Sequence, residues 1–342
     1  GAPEYAARAA VYGRRAEAAR RQNGAPRRRW TAGVNEYWDW TEGELATLRG
    51  FRRNSAGPLG GGRGASRARR PGLLQADHVQ AQLPAAASWE HLQAAQDIRD
   101  QGGCGSCWAF ASATMLQAQA EIHAQSARTF SVQELVDCVP NPRHCGGTGG
   151  CSGATAGLAM AWVMQNGSVE EFQEPYLGHE GACRSGAGAP GGAGGRFATA
   201  ASFGMTGWEV LPQNRYWPLM QAVAELGPVA VAVAADGLNL YSSGIYDGCP
   251  LDAVVNHAVV LVGYGTDTSS GDKFWTVQNS WGRGWGERGL MRILRHDDDE
   301  ERCGVNRHPE QGSGCDGGPP QVPVCGMCGI LFEAVVAHFE MV

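Results

Sequence analysis

Apolar side chains are spread unevenly along this 342-residue chain, and their spacing changes along it. Residues 4–23 carry a thin apolar stripe at three- and four-residue spacing, which predicts a helix that must pack against a partner. Residues 30–51 add tryptophans and leucines, enough apolar surface to dock on a larger body. Residues 57–82 are mainly Gly, Arg, Ser and Pro, which predicts a flexible, cleavable linker. The pattern therefore separates an N-terminal segment from the main body.

The main body changes from helical to strand spacing along its length. A glycine-rich turn precedes a long predicted helix at Cys107–Gln125, and Ser131 begins a capping-box sequence that predicts a second helix. Helical spacing returns at Leu158–Met164. From Val229 onward, apolar residues alternate between Gly-rich turns, which predicts strands at 257–263, 273–279 and 288–294 as well. We therefore expect an α+β protein with a cleft between a helical half and a mostly antiparallel sheet half.

The formal net charge of −6 is divided unequally along the chain. Residues 1–82 contain 15 arginines and 7 acidic residues, a net charge of +8, so the remainder carries −14. The arginines lack interleaved aromatic residues, which disfavours nucleic-acid binding. We expect instead that electrostatic attraction, which salt screens, holds part of the basic segment on the acidic body. No run approaches the roughly 18 to 20 apolar residues that a membrane span needs.

Eleven cysteines are more than a reducing cytosol usually tolerates in one chain. We therefore expect an oxidising location, in the secretory pathway, a lysosome- or vacuole-like compartment or the extracellular space. The odd number leaves at least one thiol unpaired if the others form disulfides, and such a thiol is a candidate reactive group.

The candidate chemistry centres on Cys107, which the turn at residues 101–106 delivers to the first turn of a helix. There the helix dipole and free amides favour a thiolate. A thiolate in catalysis needs a proton carrier, and His257, at the start of an apolar strand, is the candidate. Asn279 supplies the buried imidazole with a hydrogen-bond partner. These three residues predict nucleophilic catalysis by a thiol.

Three segments resemble the active-site motifs of the papain family of cysteine peptidases, namely Gln101–Phe110, Asn256–Ala258 and Asn279–Glu287. Their order and spacing also match that family. The resemblance implies a papain-like fold of two subdomains and a cysteine endopeptidase of the cathepsin L-like type. No cofactor and no metal are expected.

The same resemblance implies a role for each matching residue. Cys107 would attack the scissile carbonyl, His257 would protonate the leaving amine, and Asn279 would orient the histidine ring. Gln101 would donate its side-chain amide to the oxyanion beside the backbone N–H of Cys107. Trp281 would shield the hydrogen bond between Asn279 and His257 from water.

The resemblance also implies three disulfides, Cys104–Cys151, Cys138–Cys183 and Cys249–Cys303. Four further cysteines have no partner in the common family scheme: Cys145, Cys315, Cys325 and Cys328.

The substrate cleft is also placed by the resemblance. Ala154 stands where the family has a glycine whose backbone bonds the substrate main chain, so the cleft wall is expected to be tighter. The pocket for the P2 side chain, S2, is expected to be roomy and uncharged, to prefer bulky apolar residues such as Leu or Phe, and to have His308 as a candidate floor. The implied substrate-binding residues are Gly153, Ala154, Thr155, Ala232, Val255, Ala258 and Trp281.

The N-terminal segment resembles an inhibitory propeptide of the same family. Gly33–Asp39 matches the Gly-x-Asn-x-Phe-x-Asp motif with Tyr37 in place of Phe, and Arg8, Tyr12 and Asn23 match an interspersed helix pattern. The expected organisation is a propeptide at 1–56, a cleavable linker at 57–82, a peptidase domain at 83–310 and a Cys-containing extension at 311–342.

The expected partners are peptide and protein substrates, the chain's own propeptide as an intramolecular inhibitor, and cystatin-type inhibitors, with the chain itself monomeric. A thioredoxin-like redox protein is the main rival reading, because Cys104–Cys107 is a Cys-x-x-Cys sequence, but it leaves His257 and Asn279 without a role. A non-catalytic homologue is disfavoured because no catalytic residue is lost. A zinc site at Cys315, Cys325 and Cys328 remains an alternative to disulfides.

Overall fold

The structure, a computed structural model, describes residues 2–50, 83–124, 127–184, 200–299 and 301–340. The predicted linker at 57–82 lies outside these ranges. The α-helices of the described ranges are α1 (Ala2–Gly24), α2 (Glu42–Leu48), α3 (Gln93–Gln96), α4 (Cys107–His123), α5 (Val132–Cys138), α6 (Ala156–Asn166) and α7 (Tyr216–Glu225).

Eleven strands lie in the described residues: β1 (Trp30–Ala32), β2 (Ala87–Ser88), β3 (Met205–Val210), β4 (Val229–Val233), β5 (Tyr241–Tyr246), β6 (His257–Thr266), β7 (Lys273–Gln278), β8 (Leu290–Leu294), β9 (Cys303–Asn306), β10 (Val322–Cys325) and β11 (Ala334–Phe339). The main sheet has the order β1-β5-β8-β7-β6-β4-β11-β3, with β2 paired to β6. All of its pairs are antiparallel except β5 with β8. The predicted α+β class is confirmed. None of the helices in the described part of the chain has the length and hydropathy that a membrane crossing requires.

Two hydrophobic clusters cover the two faces of this sheet. On β4, Val231 belongs to the cluster that also contains α7, whereas Ala232 belongs to the cluster that contains α4. Successive strand residues point to opposite faces, so β4 is buried along its whole length. The α4 side of the sheet therefore holds the boundary between the helical half and the sheet half.

The N-terminal segment docks on the outer edge of the main sheet. β1 pairs antiparallel with β5, and Trp30, Tyr37 and Trp38 join the hydrophobic cluster on the α7 side. Asn23 exchanges two hydrogen bonds of 2.9 Å with the backbone of Ala32, which ties the end of α1 to β1. The segment is thus an integral layer of this form of the protein.

The propeptide-like residues of α1 hold that segment together internally. Arg8 forms an ion pair of 2.7 Å with Glu44 of α2, and the Tyr12 ring packs on Trp38 with centroids 5.6 Å apart. α2 itself begins with a capping box, in which Thr41 and Glu44 bond each other's backbone N–H groups. Helix α2 is therefore held in place immediately before residues 48–50.

Five disulfides lie among the residues that the structure describes, and they correct one implied pair. Cys104–Cys151 and Cys138–Cys183 are present, as the resemblance implies. The expected Cys249–Cys303 pair is wrong, because β9 and β10 place Cys303 directly opposite Cys325. Cys249 pairs with Cys328, and Cys145 with Cys315. Each cysteine of the zinc alternative is therefore in a disulfide, which removes the thiolates that a zinc site needs.

The expected extension at 311–342 is not separate from the main body, because one of its strands joins the main sheet. β11 lies between β4 and β3 in the main sheet. It pairs with both strands, with Ala334 opposite Val231 and Val335 opposite Val210. The segment between β9 and β11, which contains β10, therefore connects two paired strands of the structure.

Candidate active site

Cys107 is the one free cysteine of the described residues, and it lies at the start of α4 with no exposed surface. The preceding turn is fixed from two sides. The Cys104–Cys151 disulfide and a hydrogen bond of 2.9 Å from Gly105 N to Cys151 O hold it to the helical half. Gln101 N donates to Ser280 O at 2.9 Å, which holds it to the sheet half. The thiol therefore stands at the junction of the two halves.

His257 occupies the first position of β6 and directly precedes a residue that contacts this thiol. The backbone N–H of the next residue, Ala258, donates to Cys107 Sγ at 3.4 Å, which places the sulfur beside the start of the strand. His257 Nε2 lies 2.8 Å from Asn279 Oδ1. The other ring nitrogen, Nδ1, is buried and makes no hydrogen bond of normal geometry to the described residues.

Asn279 is itself fixed, and an aromatic pair covers it. Its Oδ1 also accepts from Ser280 N at 2.8 Å, so its carbonyl end faces the histidine. Trp281 packs on the His257 ring with centroids 4.9 Å apart, and Trp285 packs against Trp281 at 5.3 Å. Both tryptophans are buried, which excludes water from this side of the site.

Gln101 presents a side-chain donor next to the thiol. Its Oε1 accepts from Ser280 Oγ at 2.7 Å, and its Nε2 donates to Cys104 O at 2.9 Å. The same Nε2 donates to the carbonyl oxygen of Leu48 at 3.1 Å. A backbone carbonyl from the N-terminal segment thus lies where the resemblance places a substrate oxygen.

The N-terminal segment fills the cleft at residues 48–50. Leu48 is fully buried, and a Cβ on Gly50 would overlap Cys107 Sγ and approach Gly105 O to 2.7 Å. On the other wall, the carbonyl of Gly50 lies so close to Gly153 that a Cβ there would overlap it. The segment therefore contacts both walls and covers the sulfur.

Burial in this closed form opposes ionisation of both groups. It raises the pKa of the Cys107 thiol to about 11, although backbone hydrogen bonds from Ala258 and Gly50 act in the opposite direction. It lowers the pKa of His257 to about 4, against the hydrogen bond to Asn279. The pair is therefore a neutral thiol and a neutral imidazole at intermediate pH, a latent state.

Further contacts extend from the cleft to the sheet edge. Tyr37 Oη donates to Trp281 O at 3.0 Å, and Asn35 Nδ2 donates to Asn239 O at 2.9 Å. Two arginines of the segment form ion pairs with the main body. Arg29 pairs with Asp247 and Asp272 at 3.1 Å each, and Arg49 pairs with Asp236 at 2.7 Å.

The implied substrate-binding residues largely come together in the structure. Ala154, Ala232, Val255 and Ala258 share one hydrophobic cluster with Cys107, and Ala232 lies opposite Ala258 in the β4–β6 ladder. Gly153 adjoins Ala154 with φ +101, and Thr155 caps α6 by accepting from Leu158 N. Trp281 belongs to the other cluster and reaches the site through the His257 ring.

His308 does not reach this pocket. Its side chain is 60% exposed and pairs with Glu310 at 3.2 Å, because the corrected disulfides change the path of the chain after Cys303. Glu333 was not among the residues predicted from the sequence, and its carbonyl accepts from Ala232 N at 2.9 Å. A single acidic residue between the apolar runs Ile330–Phe332 and Ala334–Ala337 was the available signal.

The site combines a thiol, an imidazole hydrogen-bonded to an amide side chain, and a side-chain donor for a carbonyl oxygen. These are the parts of thiol-dependent peptide hydrolysis. The fold and site thus define a cysteine peptidase whose cleft is closed by its own N-terminal segment. A sequence model of papain family cysteine proteases matches residues 83–320. The chain belongs to the papain family and is a cysteine endopeptidase.

Individual relatives agree with this assignment. The chain is 36% identical over 297 residues to the cysteine endopeptidase RepA of rice (Oryza sativa subsp. japonica), covering 84% of this chain and 71% of the rice protein. It is 34% identical over 241 residues to mouse (Mus musculus) procathepsin L, covering 68% and 66% of the two chains. Among solved structures, a digestive procathepsin L2 of Tenebrio molitor larval midgut matches with a TM-score of 0.70 and 28% identity, covering 99% of this chain and 94% of that one. Likeness to such proforms supports a zymogen.

Proposed function

We propose that this endopeptidase works through a Cys107–His257 pair and an acyl-enzyme intermediate. The observation that carries the proposal is the convergence of Cys107, His257 and Asn279 with a carbonyl oxygen already bonded to Gln101. The thiolate attacks the scissile carbonyl, and His257 protonates the leaving amine. Water then hydrolyses the thioester with His257 as the base.

Gln101 and the N-terminus of α4 stabilise the oxyanion in this mechanism. The Gln101 Nε2 donor is preorganised by Ser280, and the Cys107 backbone N–H points from the start of the helix. Donors aimed at the developing charge typically contribute about 3 to 4 kcal/mol to lowering the barrier. Asn279 contributes by orienting the imidazole of His257, on which Trp281 packs.

The N-terminal segment acts as an inhibitory propeptide, which we assign to residues 1–56, with 57–82 as the linker that is cleaved on activation. The carbonyl oxygen of Leu48 accepts from Gln101 Nε2, the proposed oxyanion donor, and Gly50 covers the thiol. Substrate and propeptide therefore cannot bind together. Removal of the segment exposes the pair to water and relieves the desolvation that keeps it neutral. Activation is thus coupled to displacement of residues 48–50.

The mature cleft prefers bulky apolar P2 residues such as Leu or Phe, because its walls at Ala154, Ala232, Val255 and Ala258 are small and uncharged. Protein and peptide substrates and cystatin-type inhibitors are the partners of this cleft, and the chain acts as a monomer. Five disulfides fit a secretory, lysosome- or vacuole-like, or extracellular location.

Self-processing tests the proposal. The full chain, incubated at acid pH with a thiol reductant, should shorten at its N-terminus and gain peptidase activity. Cys107→Ser should remain full length and inactive, yet added active enzyme should trim it to one stable product of the mature size, which an unfolded chain would not give. Processing of Cys107→Ser on its own would refute the assigned nucleophile.

A further inference from the structure

The hydroxyl group of Tyr176 bonds to both ends of the turn at residues 101–106 that precedes the nucleophile. Its Oη lies 2.7 Å from the backbone carbonyl oxygen of Gln101 and 2.7 Å from Ser106 Oγ. Gln101 carries the proposed side-chain oxyanion donor, and Ser106 directly precedes Cys107, whose backbone N–H is the second proposed donor. One hydroxyl therefore connects the two residues that set the positions of both donors.

The direction of these hydrogen bonds follows from the groups involved. A carbonyl oxygen can only accept, so the single proton of the phenol is donated to Gln101 O. Ser106 Oγ must then donate to Tyr176 Oη, which is closer to it than Cys104 O at 3.4 Å. Burial raises the pKa of Tyr176 to about 12, against the hydrogen bond with Ser106, so the phenol keeps its proton at acid and neutral pH. The result is a continuous chain from Ser106 through Tyr176 to Gln101, in which the bonds strengthen one another.

Ser106 departs from the usual role of a serine at the start of a helix. It is the N-cap residue of α4, yet its side chain accepts no hydrogen bond from the helix backbone. A serine at this position normally caps the amides of the first turn. Here the hydroxyl bonds to Tyr176 instead. The Ser106 side chain therefore serves the tyrosine contact rather than the helix.

The turn depends on such hydrogen bonds because its outer side has no packing. A Cβ on Gly102 or Gly103 would meet nothing within 4 Å, and both glycines are exposed. The Gln101 side chain accepts from Ser280 Oγ, and its backbone N–H donates to Ser280 O, which ties it to the sheet half. Tyr176 holds the carbonyl side of Gln101 and ties the turn to the helical half.

Tyr176 is itself held by contacts at its backbone and its ring. Its backbone N–H donates to Glu171 Oε1 at 2.9 Å, and the same oxygen pairs with Arg99 at 2.6 Å. Its ring packs edge-on against Phe110, with centroids 4.8 Å apart, and Phe110 is three residues after Cys107 on α4. None of these residues belongs to the N-terminal segment, so the arrangement is kept when the propeptide leaves.

We propose that Tyr176 is a positioning residue of the hydrolytic reaction, whose hydroxyl fixes the two oxyanion donors relative to each other. This inference rests on the proposed function and deepens it, because it concerns the donors Gln101 Nε2 and Cys107 N–H. Such donors stabilise the developing charge only when they lie at hydrogen-bond distance from the position of the oxyanion. A misplacement of about 1 Å can lower a rate about 100-fold. Tyr176 acts through Gln101 and Ser106.

Tyr176→Phe tests the proposal, because it removes only the hydroxyl. Mature enzyme from acid activation is counted by titration with an epoxide inhibitor, and one peptide serves as the substrate. We expect kcat to fall about 10- to 100-fold at nearly unchanged KM, since the donors act on the transition state more than on the bound substrate. Gln101→Ala, which removes one donor outright, should lower kcat at least as far.

Tyr264→Phe is the matched control. The Tyr264 hydroxyl also donates to a backbone carbonyl, Pro84 O at 2.9 Å, and its side chain belongs to the hydrophobic cluster on the α7 side. Both phenylalanine variants lose a hydroxyl-to-carbonyl hydrogen bond and should show similar falls in Tm, but Tyr264→Phe should keep the wild-type kcat. Ser106→Ala is a second variant that breaks the same chain, so its effect on kcat and that of Tyr176→Phe should not be additive in the double variant.

The outcomes separate this inference from the function on which it rests. Equal kcat values for Tyr176→Phe and Tyr264→Phe, with a low kcat for Gln101→Ala, would overturn the inference alone. A raised KM at unchanged kcat in Tyr176→Phe would also overturn it, because that result indicates a contact with the bound substrate. A wild-type kcat in Gln101→Ala would contradict the proposed oxyanion donor, and the inference would fail with it.

Discussion

Gly50 is the point at which the propeptide contacts the nucleophile most closely, so its substitution perturbs latency directly. A Cβ at this position would overlap Cys107 Sγ and approach Gly105 O to 2.7 Å, and the latter atom belongs to a turn fixed by a disulfide. Residues 48–50 of Gly50→Ala must therefore move outward. Overpacking of this kind costs about 1 to 3 kcal/mol, which corresponds to roughly 5- to 150-fold weaker binding of residues 48–50 in the cleft.

The assay is the rate at which an epoxide inhibitor labels Cys107 in the unprocessed chain at neutral pH. Gly50→Ala should be labelled faster than the wild type by a factor in that range. Gly43→Ala is the matched control, since its Cβ would meet only Thr41 Oγ1 at 3.8 Å, an ordinary contact. Equal labelling rates for Gly50→Ala and the wild type would refute the view that the fit at Gly50 maintains latency.

Three further predictions concern docking and the catalytic pair. Inhibition of the mature enzyme by a separate 1–82 peptide should weaken with rising ionic strength at fixed pH. Arg29→Ala removes two ion pairs and should reduce that salt dependence. An inhibition constant that does not change with salt would mean that docking is purely apolar. His257→Ala should lower kcat on one peptide by about 100-fold or more. Asn279→Ala should lower it by less, because only the orientation of the imidazole is lost. Equal losses would contradict the assigned roles. Alkylation of Cys107 in the proform should stay slow through neutral pH and accelerate towards pH 11, because burial raises the pKa of its thiol to about 11. Fast alkylation at neutral pH would contradict that shift.

The charge division along the chain was visible in the sequence, but the pairing of individual charges was not. Arg8 and Arg15 lie in the same basic segment as Arg29, yet they form ion pairs with Glu44 and Glu42 of that segment. Arg29 pairs across the interface instead, and Arg49 pairs both with Glu42 and, across the interface, with Asp236. Net charge therefore indicates that the N-terminal segment and the main body attract each other. The folded position of each arginine decides whether it forms an ion pair across the interface. Exposed pairs of this kind contribute little each, about 0 to 1 kcal/mol.

The local parts of the site were predictable because their signals are local. A glycine-rich turn before a helix indicates where Cys107 lies, and the structure begins α4 at that residue. An isolated histidine and asparagine in apolar strands indicate partners, and the structure joins His257 to Asn279 at 2.8 Å. The family resemblance supplied the link between these distant segments.

The C-terminal part was not predictable in the same way, because long-range pairing decides it. Cys303 has several candidate partners in the sequence, and only the β9–β10 register selects Cys325. The wrong pair shifted the expected chain path, which placed His308 in the pocket and left Glu333 unnoticed. Hydrophobic alternation identifies strands, but it does not say which strands are neighbours.

The central claim is that Cys107 is the nucleophile and that residues 48–50 cover it until the propeptide leaves. Peptide mapping after exposure to an epoxide inhibitor tests it most directly, on the full chain before and after acid activation. The account predicts covalent label on Cys107 alone, with a sharp gain on activation and none in Cys107→Ser. Label on another cysteine, or equal labelling of Cys107 before and after activation, would contradict it.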